Sequence, residues 1–196
     1  KEVTDEGLFA SYSEVIERIS DKRLKIYLYH FPRMSGVSIS LDLIGRLLKR
    51  YPDSIVGLKD SSGDFKNMSS VVENFPDLSV FSGTDDFFLP LLEKGGVGCI
   101  TATCNIASNL SACLFNAWQN GDGASKDLQT KLVKIRVAAQ TFPFSVGLKT
   151  ILAHYCGQQS WRIVRPPLVA LDDDQMIHLI QTLEAAGYKP PHFAKI

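Results

Sequence analysis

The sequence predicts an α/β fold whose strands form a parallel sheet covered by helices on both faces. Two observations carry that expectation. Four short segments are continuously apolar rather than alternating, the pattern of strands buried on both sides, and amphipathic helical patterns separate them at the spacing of βα units. A third supports a single folded region: no linker-like, low-complexity or charge-block stretch interrupts the series.

The elements follow in order. Thr4 is placed to cap a helix whose apolar residues Leu8, Tyr12, Val15, Ile16 and Ile19 share one face. Residues 25–31, dense in β-branched and aromatic side chains, make the first strand. Ser40 precedes a helix carrying Leu41, Ile44, Leu47 and Leu48, which stops at Tyr51-Pro52 because proline disfavours a helical predecessor. Residues 54–59 form a short buried strand, and Asp64 then caps a helix with Phe65, Met68, Val71, Val72 and Phe75 inward. Residues 78–82 are the third strand, 85–94 a helix, and 95–101 the fourth strand. Helical patterns then run over 107–120, 124–141, 145–156 and 172–186.

Composition narrows the function. The chain has 196 residues, with 21 Lys and Arg balanced by 21 Asp and Glu, so its formal net charge is zero. A protein that tracks phosphate backbones shows a basic excess or stripe, so nucleic acid is not an expected partner. No apolar run reaches the roughly 18–20 residues a spanning helix needs, and no membrane partner is expected. The chain opens Lys-Glu-Val-Thr with no charged-then-apolar leader in view. Cys99, Cys104, Cys113 and Cys156 form no Cys-x-x-Cys pair and have no metal-like spacing to His30, His154, His178 or His192. Buried, unbridged thiols are expected instead, and these favour a reducing, cytoplasmic compartment.

Chemistry is expected where the strands end, since ligands of parallel α/β folds bind there. Lys59 directly follows the apolar run Ile55, Val56, Gly57 and Leu58, so its amine is expected in a confined space. A lysine there must pair with an acid, for which Asp60 stands next to it, or reach solvent, or lose its charge by desolvation. In the last case the amine is a nucleophile able to form a Schiff base with a carbonyl. Tyr29 ends the neighbouring strand; its phenol either relays protons or packs as an amphipathic strand residue. Gly83 with Asp85 and Asp86 reads either as substrate contact or as a tight turn with a helix cap. Gly95-Gly96-x-Gly98 lacks the order and full fingerprint of a dinucleotide loop and reads as a helix stop.

Taken together, Tyr29-x-x-Pro32, Gly57-Leu-Lys59-Asp-Ser61, Ser82-Gly83-x-Asp85 and Gly95-Gly-x-Gly98-x-Ile100-Thr, closed by Asn105 and followed by Arg165-Pro-Pro-Leu, resemble the dihydrodipicolinate synthase / N-acetylneuraminate lyase family in order and spacing. The resemblance implies a (β/α)8 barrel with a C-terminal helical extension, a homotetramer, and class I aldolase chemistry on pyruvate or a related small-molecule 2-oxo acid, with no cofactor and no metal. It implies that Lys59 is the Schiff-base lysine and Tyr29 the acid/base tyrosine. Ser61, Gly83, Asp85 and Asp86 fall where the lyase branch lines the substrate's hydroxylated tail, and Ile100 where a backbone carbonyl faces the substrate. It also implies that residues 1–106 are the C-terminal half of the barrel and 107–196 its last helix and the extension. The expected whole is then a chain of about 300 residues, of which this is the C-terminal two-thirds.

Two stretches depart from that pattern. The synthase branch carries an arginine five residues after the tyrosine; here Met34 stands there and Arg33 one earlier. In an extended run one step turns a side chain to the opposite face, which shifts the expectation from the synthase's second substrate toward a lyase acting on a sugar-acid-derived 2-oxo acid. The family's Asn-Pro-x-Pro-x-Lys stretch is here Phe142-Pro-Phe-Ser-Val-Gly-Leu-Lys149. The rival expectations are an inactive ligand-binding homologue and a metal-dependent enzyme using Asp85, Asp86 and a histidine.

Overall fold

The structure, a computed structural model, describes residues 2–190; His192 and the end of the 107–196 segment lie outside them. The chain divides into two compact units, Lys1–Ile100 and Thr101–Ile196.

The first unit contains α1 (Asp5–Ile19), β1 (Ile26–His30), α2 (Pro32–Ser35), α3 (Leu41–Arg50), β2 (Ile55–Asp60), α4 (Phe65–Asn74), β3 (Ser79–Ser82), α5 (Phe88–Glu93) and β4 (Gly98–Cys99). Helix starts are set locally. Thr4 Oγ1 accepts from the Gly7 N–H at 3.2 Å, Ser40 Oγ from Leu43 N–H at 3.0 Å, and Asp64 from Lys66 N–H at 2.9 Å. Each satisfies one of the donors a helix leaves open at its first turn. Gly95, at φ 104, ends the helical stretch before β4 in a conformation that side chains avoid.

The strands form one parallel sheet in the order β1-β2-β3-β4. Register puts Leu28, Leu58 and Val80 side by side, each 1 % exposed or less, facing Leu43, Ile44 and Leu47 of α3 and Met68 and Val71 of α4. Burial of each such side chain contributes about 1.5–3 kcal/mol. The sequence led us to expect cover on both faces, but this unit's helices cover one. Alternate residues put Tyr27 and Tyr29 on the other, where each is 50 % exposed. Aromatic rings and a lysine stem kept the strands apolar in composition without requiring that both sides be sealed.

Between Ile26 and Tyr27 the β1–β2 register slips: Ile26 pairs with Ile55 and Tyr27 with Gly57, so Val56 has no partner across the ladder. The extra residue explains how Ile55 and Leu58, three apart, both reach the same core.

The second unit holds α6 (Cys104–Gln119), α7 (Ser125–Ala139), α8 (Phe144–Cys156) and α9 (Asp173–Ala185) around Leu114, Leu132, Ile135, Ile151, Leu179 and Leu183. A single 3₁₀ turn, Gln159–Arg162, follows α8. Helix α6 is kinked at Ala107, whose φ of −129° and ψ of 28° are not helical. The Tyr188 hydroxyl, from beyond α9, donates at 3.0 Å to the Ile106 carbonyl beside the kink. Burial pushes the Tyr188 phenol well above its ordinary range, so it stays a donor.

Asp172 begins α9 in a reciprocal cap: its carboxylate accepts from Gln175 N–H at 2.8 Å, and its own N–H donates to Gln175 Oε1 at 3.1 Å. Asp172→Ala is expected to cost about 1 kcal/mol, read as a lower midpoint in urea with unchanged slope. Among the described residues, no helix is long and apolar enough to cross a membrane. The thiols depart from expectation: none of the four is in a disulfide, but Cys113 is exposed on α6 and the other three are half-buried. Cysteine in a helical stretch does not by itself decide which side of the helix it occupies.

Candidate active site

Strand register brings Tyr29 and Lys59 directly together, since they are paired positions on β1 and β2. The Lys59 Nζ lies 4.2 Å from the centroid of the Tyr29 ring, over its face. An ammonium there is attracted by the ring quadrupole. Lys59 is half-buried rather than enclosed, because it emerges on the face this unit's helices leave open. Asp60 is not its partner. One residue along a strand reverses direction, and Asp60, fully buried, turns to the helix side. There its carboxylate accepts from the Ser62 N–H at 2.7 Å and from the Asn67 side-chain amide at 2.6 Å. His30, one step from Tyr29, is also buried; its Nδ1 accepts from the Ile39 N–H at 3.1 Å.

Beneath the Tyr29–Lys59 pair lies an aromatic floor that sequence reading missed. The Tyr27 and Phe81 rings meet edge to face with centroids 5.7 Å apart. Each ring lies across a glycine of the next strand. A Cβ on Gly57 would fall 2.3 Å from Tyr27 Cδ1, and one on Gly98 3.2 Å from Phe81. The signal was present, since Tyr27 and Tyr29 share a strand face, but the glycine seats emerge only once register is known.

The strand-end candidates line up because the ladder continues past the strands. Ser61 N–H donates to the His30 carbonyl at 2.8 Å, Gly83 N–H to Asp60 at 2.7 Å, and Ile100 N–H to Ser82 at 2.9 Å. Gly83 and Ser61 touch so closely that a Cβ on Gly83 would sit 2.0 Å from Ser61 Oγ and 2.6 Å from the Asp60 carbonyl oxygen. Gly83→Ala is therefore expected to cost about 1–3 kcal/mol, as overpacking does, measured by denaturant unfolding. Adding Ser61→Gly should recover part only, because the backbone oxygen remains.

Asp85 and Asp86 open a 3₁₀ turn, Asp85–Phe87. Asp85 is fully buried, whereas Asp86 is exposed and accepts from the Thr84 hydroxyl at 2.5 Å. Among the described residues, no histidine joins these two carboxylates in a group close enough to share an ion. Ile100, 44 % exposed, ends the row.

Arg33 requires a correction. Residues 32–35 are not extended; they form α2, begun by Pro32 and closed by Gly36 at φ 69. Proline pre-sets the first helical φ and glycine takes the left-handed cap. The opposite-face argument fails with the extended run. The Arg33 guanidinium reaches across to the loop after β2, 3.6 Å from where a Cβ on Gly63 would lie.

Comparison with known proteins places this geometry. The model of the dihydrodipicolinate synthetase family matches residues 1–186. A 4-hydroxy-tetrahydrodipicolinate synthase of Methanopyrus kandleri is 31 % identical over 189 residues, covering 94 % of this chain and 60 % of the relative. One from Rhodospirillum centenum is 33 % identical, over 91 % and 61 % respectively. Among solved structures, YagE of E. coli K12, a prophage protein of the dihydrodipicolinic acid synthase family in complex with pyruvate, superposes with a TM-score of 0.84 at 27 % identity, covering 95 % of this chain and 63 % of that one. The chain thus spans roughly three-fifths of the length of these relatives. The fold is the expected α/β class, with four parallel strands of a (β/α)8 barrel. The chain belongs to the dihydrodipicolinate synthetase family.

Proposed function

We propose that this chain carries the catalytic half of a class I, Schiff-base lyase acting on pyruvate or a related 2-oxo acid. The observation that carries the reading is the Lys59 amine stacked 4.2 Å over the Tyr29 ring at the end of two register-paired strands. In its neutral form the Lys59 amine adds to the ketone carbon; water then leaves, and the resulting imine is protonated. That cation withdraws electrons from the neighbouring carbons, so the C–C bond of a hydroxy-oxo acid breaks to an aldehyde and an enamine without a metal. The ring face beside the nitrogen favours a positive charge there. The same attraction supports the iminium once formed. Tyr29 moves the proton that leaves the hydroxyl on cleavage and returns on condensation. In the cleavage direction the enamine then takes the proton held by Tyr29 onto its carbon to become the iminium of the 2-oxo acid, and hydrolysis by water releases that acid and restores Lys59.

In this reading Ser61, Gly83, Asp86 and the Ile100 carbonyl bind the substrate beyond the reacting carbons, and Asp85, fully buried, holds the turn that presents them rather than touching substrate itself. Residues 1–106 are the C-terminal half of the barrel and 107–196 its last helix and extension. The whole protein works as a cytoplasmic homotetramer without cofactor. Support comes from family membership and from the row of strand-end contacts joining Ser61, Gly83 and Ile100 to their neighbouring strands. A second reading is condensation of pyruvate with aspartate semialdehyde. It gains from Arg33, whose guanidinium beside Gly63 suits an acidic tail.

Borohydride reduction in the presence of a panel of 2-oxo acids, followed by intact and peptide mass analysis, tests the proposal. A pyruvate-derived adduct on the Lys59 peptide is the expected result. Absence of any adduct across the panel would leave an inactive homologue as the better description.

A further inference from the structure

The second unit contains a cavity that this chemistry does not use. It measures about 180 Å³ and lies where α6, α7 and the segment after α9 meet. Its apolar wall comes from Ile106, Leu110 and Ile135, and its polar groups from Asn109, Lys131 and Lys189. The kink at Ala107 and the Tyr188 hydroxyl on the Ile106 carbonyl hold the C-terminal segment against α6, which fixes Lys189 beside the opening. Lys131 comes from the neighbouring helix α7. Among the described residues, neither lysine is in an ion pair with an acidic side chain.

Two cationic groups beside an apolar wall call for a ligand of matching halves. The volume exceeds the about 150 Å³ that suffices for a benzene ring, so the apolar part is one ring or a branched chain of similar size. An anionic end paired with two lysines gains charge-assisted hydrogen bonds that a neutral molecule of the same shape lacks. We infer that this cavity is a binding site for a small carboxylic acid with a compact apolar body. It is separate in sequence from every strand-end candidate and stands or falls independently of the lyase reading.

The test is titration of the full chain with benzoate, followed by calorimetry or ligand-observed NMR. Saturable binding in the millimolar range or tighter is expected, with benzamide, the uncharged analogue, at least tenfold weaker. Lys131→Met and Lys189→Met keep most of each apolar stem and remove the charge. Each should weaken benzoate severalfold, and the pair at least tenfold, while benzamide is unaffected and the melting temperature is held. Lys59→Met protein should bind benzoate as the unaltered protein does. The inference is overturned by absence of saturable benzoate binding up to about ten millimolar, by equal binding of benzamide, by indifference to both lysine changes, or by loss of binding in Lys59→Met. The benzamide comparison needs no variant to fold.

Discussion

Lys59→Met is expected to abolish the borohydride-trapped pyruvate adduct altogether while leaving the protein folded. Methionine keeps an unbranched, flexible stem of similar length, and unbranched side chains fill irregular space with little strain. The residue sits on the half-covered face, so no buried charge partner is orphaned; Asp60, its neighbour in sequence, is satisfied by the Ser62 N–H and the Asn67 amide on the other side of the sheet. What disappears is the nucleophile, and with it the covalent route. The reading is wrong if reduction still attaches pyruvate at another lysine with undiminished yield. Circular dichroism and the denaturation midpoint of the variant must match the parent, which separates lost chemistry from lost structure.

Tyr29→Phe carries the second largest expected effect, a fall in turnover of about 10²–10⁴ with KM moved much less. The ring remains, so the aromatic face under the Lys59 nitrogen and the tilted contact with Phe31, at 5.5 Å between centroids, should both persist. Adduct trapping should therefore survive in this variant even as cleavage slows. That split distinguishes a proton carrier from a packing residue. If KM rises and turnover holds, Tyr29 serves binding alone; if trapping disappears as well, the ring or hydroxyl is needed to build the imine.

The parallel α/β class was legible because Leu28, Leu58 and Val80 declare a buried strand face whatever lies opposite. Lys59 stood out for the same reason, as a charge directly after apolar neighbours. What could not be read was what depends on three-dimensional register. Gly57 and Gly98 are unremarkable glycines until Tyr27 and Phe81 are known to lie across them. Helix α2 escaped notice because four residues contain barely one turn and show no periodicity. A Lys59–Asp60 pair is excluded by alternation alone, because neighbours on a strand face opposite sides of the sheet. Asp85 shows the opposite difficulty: nothing in the sequence separates it from its neighbour Asp86, yet Asp85 is fully buried and Asp86 exposed.

The unpartnered Val56 has one further implication. A strand carries its side chains in a two-beat rhythm, and a supernumerary residue resets the beat for everything downstream. Here the phase downstream of it decides which of two adjacent, oppositely charged groups, the amine of Lys59 or the carboxylate of Asp60, is offered to an incoming molecule and which anchors the following loop. Removing that single valine would return the ladder to plain alternation with Lys59 still opposite Tyr29, whereas one residue added between Leu58 and Lys59 would invert the phase, presenting an acid where a base is wanted and driving a cation among leucines.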